Sequence, residues 1–140
     1  MSDAAGGVAY VDTSALVKLV VHEAESDALE RELATWRGLA TSSITTIELR
    51  RAARRARLDR RDVAGEDAIS VLLAALAEIP LSAAVRQAAA NVEPIQLRTL
   101  DAIHLASAVA LGDHLAVVIT YDDRMASAAA ALGLQVAAPT

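Results

Sequence analysis

Short apolar runs, each closed by a polar residue and followed by a segment of helical periodicity, recur along the chain and narrow its possible folds more than any other feature. Val8-Ala9-Tyr10-Val11 stops at Asp12 and leads into a helix through Ala15-Leu16-Val17-Lys18-Leu19-Val20. Leu39-Ala40-Thr41-Ser42 repeats the pattern ahead of a helix over residues 45–57, with Ile47, Ala52 and Ala56 expected inward and arginines outward. Ala116-Val117-Val118-Ile119-Thr120 is the clearest strand, and the helix after it, over 123–132, is closed by Gly133. Glu78-Ile79-Pro80-Leu81 reads as a weak strand that Pro80 confines to an edge or a strand end. Leu134-Gln135-Val136-Ala137 reads as the last strand. Further helices are expected over 23–36, 66–77, from the Ser82 cap to about 91, and over 99–111, where an almost wholly apolar helix meets Gly112. Strands alternating with helices predict an α/β fold whose parallel sheet is covered on both faces. Ligand sites in such sheets form beyond the carboxyl ends of the strands.

The 140 residues suit one domain, 1–140, with one core, and 54% hydrophobic against 22% charged residues is enough to fill it. Cysteine is absent, which excludes disulfides, zinc thiolates and cysteine nucleophiles. The longest apolar run is too short to span a bilayer, and residues 1–7 lack the basic and apolar regions of a secretory leader, so the expected compartment is the cytoplasm. A formal charge of -5 runs against non-specific nucleic-acid binding, yet seven of the thirteen basic residues fall between Arg50 and Arg61. With Tyr10, Tyr121 and Trp36 as the only aromatics, a surface that stacks several bases is not expected.

The acids carry the chemistry. Asp12 ends the first strand, and Asp122 and Asp123 follow the strong one, where a parallel sheet presents its site. Glu48 and Asp101 each lie in the first turn of a helix; such turns carry partial positive charge and open on the same crevice. Carboxylates gathered from four segments repel one another, and a hard divalent cation, Mg²⁺ or Mn²⁺, relieves the repulsion. Each acid also has a purely structural use. Asp12 before Thr13-Ser14 is a plain N-cap; Thr45 to Glu48 is a capping box, with Arg51 one turn beyond Glu48; Thr120 to Asp123 is a second box, which makes Asp123 the cap and leaves Asp122 as the ligand. Asp101 is harder to explain this way. It sits among Leu100, Ala102, Ile103 and Leu105, where a carboxylate that is buried and unpartnered costs on the order of several kcal/mol; the alternative is a cap exposed at the helix mouth.

His104 follows Asp101 by three residues on nearly the same face and can share a metal with it, although a lone histidine on an apolar helix is more often a hydrogen-bonded core residue. Arg50, Arg54, Arg57 and Arg61 form one helical stripe that Arg51, Arg55 and Arg60 widen. It is either a solvated face paired with Asp59, Asp62 and Glu66, or a surface that positions phosphates or docks an acidic partner.

The segments Tyr10 to Lys18, Ser43 to Leu49, Leu97 to Ala106 and Ile119 to Asp122 together, in this order, resemble PIN-domain ribonucleases, and among these the VapC toxins of bacterial VapBC modules. The resemblance implies an α/β/α sandwich with strand order 3-2-1-4-5. It implies that Asp12, Glu48, Asp101 and Asp122 hold Mg²⁺ or Mn²⁺, with Ser14, Thr120 and Asp123 supporting them and Arg50, Arg51, Arg54, Arg57 and Arg98 facing RNA or a partner. It further implies a homodimer, a VapB-type antitoxin, and cleavage of structured transfer or ribosomal RNA. Two other phosphate-handling families fit less well. A haloacid-dehalogenase-like phosphatase needs a second Asp where Ser14 stands, and a receiver domain needs a late lysine, whereas Lys18 is the only lysine. A non-catalytic partner-binding α/β domain is the remaining alternative.

Overall fold

The computed structural model describes residues 6–140; most of the stretch read for a leader, residues 1–5, lies outside them. Five strands, β1 (Val8–Val11), β2 (Gly38–Ser42), β3 (Ala77–Ile79), β4 (Leu115–Ile119) and β5 (Val136–Ala137), form one sheet. All four strand pairings are parallel and the order is β3-β2-β1-β4-β5, the PIN-like arrangement that the resemblance implied. The helices between them are α1 (Thr13–Val20), α2 (Ser26–Ala34), α3 (Thr45–Leu58), α4 (Glu66–Ala74), α5 (Ala83–Ala90), α6 (Thr99–Val109) and α7 (Asp123–Ala131). Among the described residues no helix is long and apolar enough to cross a membrane.

The central strand is apolar on both sides because both sides are covered. Ala9 and Val11 join Val117 and Ile119 in a core shared with Leu16 of α1, Leu29 of α2, Leu49 and Ala53 of α3 and Ile69 of α4. Tyr10 and Val118 point the other way, toward Ala108 of α6 and Met125 of α7. The chain leaves β1 toward β2 on one side and returns as β4 on the other. A crevice therefore opens beyond the carboxyl ends of β1 and β4, where the strand order reverses.

Several element boundaries shift for identifiable reasons. The second helix begins at Ser26, not at 23, because Val21 pairs with Val63 and the Ser26 hydroxyl is engaged by Glu23 N–H and Lys18 C=O. Helix α4 stops at Ala74 because Ala77 already belongs to β3, which lies at the sheet edge ahead of Pro80. Ser82 caps α5 through Val85 N–H. Helix α6 stops at Val109, and a 3₁₀ turn (Gly112–His114) follows. Gly112 and Gly133 both adopt positive φ, 58° and 80°, which closes their helices as glycine allows. In α3 the inward stripe is Leu49, Ala53 and Ala56, whereas Ile47 is 63% exposed. Ile47 and Ala56 are nine residues apart, two and a half turns, so they cannot share a face.

Leu49 is fully buried and pins the first turn of α3, with Glu48, against the sheet. Leu49→Ala is expected to lower the unfolding free energy by about 2–5 kcal/mol, read from urea midpoints. A loss below about 1 kcal/mol would mean that α3 is held elsewhere.

Candidate active site

Asp12 follows β1 directly and is 3% exposed. Its Oδ1 accepts from Thr13 N–H at 2.8 Å and so caps α1. Its Oδ2 accepts from the Ser14 hydroxyl and the Thr120 hydroxyl, both at 2.8 Å. The same hydroxyls accept from the backbone of the next segment: Ser14 from Tyr121 N–H at 3.0 Å and Thr120 from Asp122 N–H at 3.1 Å. The N-cap reading and the site reading of Asp12 are therefore not exclusive, since one carboxylate caps a helix and joins two strand ends.

Glu48 does not close a capping box. The cap position of α3 is Ile44, without a side-chain bond, and the Thr45 hydroxyl is hydrogen-bonded to that of Thr41 at 2.8 Å. Glu48 Oε1 instead accepts from the Thr13 hydroxyl at 2.7 Å and from His104 Nε2 at 2.6 Å. His104, 1% exposed on α6, also contacts Tyr10 Oη through Nδ1 at 2.6 Å, and its Nε2 lies 3.5 Å from Asp12 Oδ1. Burial alone would push the His104 pKa down. The bond to Glu48 and the charges of Asp12, Glu48 and Asp101 outweigh burial and raise the pKa above the usual 6.5. Burial likewise works against the Glu48 carboxylate, but His104 and Thr13 hold its pKa below 4.5.

Asp101, in the first turn of α6, has a side chain 16% exposed. Its Oδ2 is buried and has no hydrogen-bond partner among the described residues; Arg98 Nε stands 3.8 Å away. Burial first, then the charges of Asp122 and Asp12, raise its pKa above 3.8, against weaker opposition from Arg98 and His104. Asp101 thus feels the charges of Asp12 and Asp122, although the three stand at the starts of three different helices.

The cap of α7 falls to Asp122, not to Asp123: Asp122 Oδ1 accepts from Arg124 N–H at 2.9 Å and Met125 N–H at 3.1 Å. The Thr120 hydroxyl cannot close the expected box because it is committed to Asp12 and Asp122. Asp123 is exposed on the wall of a separate cavity with Pro94, Leu97 and Ser127. The cap expected of Asp123 therefore falls to Asp122, which keeps its second oxygen for a ligand.

The arginine stripe also divides. Arg50 is paired with Glu66 at 2.7 Å and reaches Ser70, and Arg57 donates to Ala64 C=O. Arg51 and Arg55 instead line a cleft of about 390 Å³ together with Glu48, Thr13, Ser14 and an apolar wall that includes Val17, Ile47 and Leu100. Arg54 borders a smaller hollow beside them with Leu58, and Arg98 is 71% exposed at the start of α6. Of the acids expected to neutralise the stripe, only Glu66 does so among the described residues.

The donors are carboxylate oxygens, the chemistry of a hard cation. The orphaned Asp101 Oδ2 beside two further acids is the feature that such an ion satisfies. Among the described residues no three acid or histidine groups are drawn together tightly enough to form a ready-made cage. Glu48 is held toward His104 and Thr13, and the charges of Asp12 and Asp122 both act against an ionised Asp101. Sequence reasoning missed Thr13, whose only signal was a hydroxyl directly after the strand-ending acid, and it placed His104 in the core without its link to Glu48.

The PIN domain family profile matches residues 9–131. Ribonuclease VapC46 of Mycobacterium tuberculosis is 45% identical over 134 residues, which cover 94% of this chain and 97% of that protein. Ribonuclease VapC35 of the same organism is 42% identical over 93% of this chain and 96% of its own. Ribonuclease VapC47 is 36% identical over the same shares.

Two measurements follow from the charges. The penalty on Asp101 develops as pH rises from 3.8 through its raised folded-state value, so at neutral pH in chelator Asp101→Asn is expected to melt about 1–3 °C above wild type. Adding Mg²⁺ is expected to raise wild type alone; a lower melting temperature for the variant in chelator would contradict this. The Glu48–His104 pair has the opposite signature. Its stabilisation through His104 is complete below pH 6.5 and is lost as pH rises through the raised folded-state value. In chelator the melting temperature is therefore expected to fall above pH 6.5, and less steeply in Glu48→Gln.

Proposed function

The chain belongs to the PIN-domain family and, within it, to the VapC ribonucleases, and from that premise we propose that it is a divalent-metal-dependent endoribonuclease toxin of a type II toxin–antitoxin module. In this reading residues 1–140 act as one domain in the cytoplasm, as a homodimer. A VapB-type antitoxin holds the toxin in check, and the released protein cuts structured RNA, transfer or ribosomal, and arrests growth. The observation that carries the reading is Asp101: an orphaned, buried carboxylate oxygen on an apolar helix, facing Asp12 and Asp122 at the crevice where the strand order reverses.

Asp12, Asp101 and Asp122 would hold Mg²⁺ or Mn²⁺, with Glu48 at the edge of the group. When bound, the ion offsets charge on the scissile phosphate and lowers the pKa of water. The chain's own side chains do the positioning. Ser14 and Thr120 clamp one oxygen of Asp12, so this acid cannot rotate as substrate enters. Arg51 and Arg55, free of intramolecular ion pairs among the described residues, receive the phosphates flanking the cut, while Ile47 and Leu100 offer apolar surface to a base or ribose. His104, at 1% exposure, is too deeply buried to touch RNA and plays no part in proton transfer to it. Attack by water in line with the departing 3′ oxygen leaves a 5′-phosphate and a 3′-hydroxyl.

Asp12→Asn and Asp101→Asn are expected to stay folded and to lose RNA cleavage by roughly a hundredfold or more. Chelation is expected to do the same to wild type, and Mg²⁺ or Mn²⁺ to restore it. Full cleavage by either purified variant would refute the assignment. Arg51→Ala and Arg55→Ala are expected to raise KM for RNA with kcat retained, and each to lower the slope of log affinity against log salt by about one unit. Arg50→Ala, already neutralised by Glu66, serves as the control.

A further inference from the structure

Behind the carboxylates runs a chain of hydrogen bonds that the proposed reaction leaves unexplained. Tyr10 on β1 and His104 on α6 are 0% and 1% exposed, and their rings meet edge to face with centroids 5.9 Å apart. Ala108, Val118 and Met125 pack on Tyr10, and the Ser107 and Thr41 hydroxyls lie beside its phenol. Aliphatic side chains would fill this space without the cost of burying a phenol and an imidazole. What the polar pair gains is its far end, Glu48, whose side chain is 23% exposed at the wall of the cleft.

The direction of the bonds can be worked out from the partners. His104 Nε2 faces Glu48 Oε1 at 2.6 Å, Asp12 Oδ1 at 3.5 Å and the Thr13 hydroxyl oxygen at 3.1 Å. The Thr13 proton is already given to Glu48 at 2.7 Å, so every group around Nε2 is an acceptor. Nε2 must carry a proton, whatever the charge on the ring. In the neutral ring Nδ1 is then bare, and the Tyr10 hydroxyl donates to it at 2.6 Å, which fixes both tautomer and ring orientation. Two donors, Thr13 and His104, converge on the same carboxylate oxygen. Glu48 Oε2 accepts nothing among the described residues and is left facing the cleft.

We propose that His104, aimed by Tyr10, is a positioning residue that fixes Glu48 by one oxygen, so that Glu48 offers a single oxygen, Oε2, to the cation site. The inference rests on the ribonuclease reading for its context, but its test reads metal binding and not cleavage. Partners one bond removed from a metal site commonly tune its affinity 10- to 100-fold, by roughly that order.

The experiment exploits the two amides that mimic the two ring nitrogens. Gln at position 104 places its amide N–H near Nε2 and retains the bond to Glu48. Asn places its polar end near Nδ1 and retains only the bond to Tyr10. Titration calorimetry with Mn²⁺ alone is expected to give His104→Gln an affinity within about threefold of wild type, and His104→Asn one weaker by roughly 10- to 100-fold. Tyr10→Phe, which keeps the ring, is expected to lose affinity several-fold. In RNA cleavage, His104→Asn is expected to lower kcat with KM little changed, and His104→Gln to recover it. Equal affinities for the Gln and Asn variants, or wild-type Mn²⁺ affinity in His104→Asn and Tyr10→Phe, would overturn the proposal. Failure of the ribonuclease reading is a separate result, Mn²⁺ bound by wild type with no RNA cut.

Discussion

Asp12 is where the sheet and the candidate site become one structure. Its carboxylate takes three hydrogen bonds, from Thr13 N–H and from the hydroxyls of Ser14 and Thr120, and through Thr120 and Ser14 it is tied to the backbone that leaves β4. A parallel strand pair has its ladder along the strands but nothing at the ends, where the two chains diverge into separate helices. The Asp12 cluster supplies the missing link between β1 and β4. Any ligand bound there rests on the most buried pair of strands in the molecule, with Ala9, Tyr10, Val11, Val118 and Ile119 all at 0% exposure. Precision at the site is thus inherited from the core rather than from loops.

The distribution of buried polarity supports the same view. Of the eight buried polar residues among those described, Asp12, Thr41, Ser42, Thr45, His104 and Thr120 lie at or near the carboxyl ends of β1, β2 and β4, and only Ser26 and Ser107 lie elsewhere, whereas Ala9, Ala40 and Val117, further back along the strands, are apolar. A fold that needed only stability would spread such groups thinly or replace them with aliphatics, because each must find a partner to offset its lost hydration. Here they partner one another: Thr41 with Thr45, Thr13 with Glu48, Tyr10 with His104. Asp101 Oδ2 and the Ser107 hydroxyl break the pattern, and of the two it is Asp101 that stands among other carboxylates, where a cation would complete it. Local departure from good core chemistry, concentrated at one place, is what a site costs a fold.

Most of the architecture was legible because it depends on periodicity. The alternation of strands and helices, the edge position of the strand before Pro80, the Ser82 cap and the glycine stops all follow from local rules, and the parallel five-stranded sheet follows from them in turn. The acids at strand ends and in first helical turns were legible for the same reason. What local rules could not decide was competition between partners. Thr120 matched a capping box with Asp123, but its hydroxyl goes to Asp12, 108 residues away in sequence, and the cap passes to Asp122. Thr45 matched a box with Glu48, but it bonds Thr41, and Glu48 goes to His104 on another helix. Ile47 differs in kind: it is apolar, yet helical geometry places it opposite Ala56, so apolar character alone does not turn it inward.

The same competition leaves an acidic chain of net charge -5 with arginines at one cleft that are unpaired among the described residues, as the proposed function requires. Total charge is the wrong measure, since the acids that matter are turned into the crevice and the arginines that matter stand beside it. Of the basic stripe, Arg50 and Arg57 are used to hold α3 against the segment that follows it, which leaves Arg51 and Arg55 facing the cleft with Glu48. In the proposed function, a phosphate drawn to those two side chains would arrive beside Glu48, and a divalent cation would relieve the repulsion from the neighbouring acids that would otherwise turn it away. Glu48 and the two cleft arginines thus stand on adjacent turns of one helix, and the buried Leu49, which follows Glu48 directly, holds them in register with the sheet.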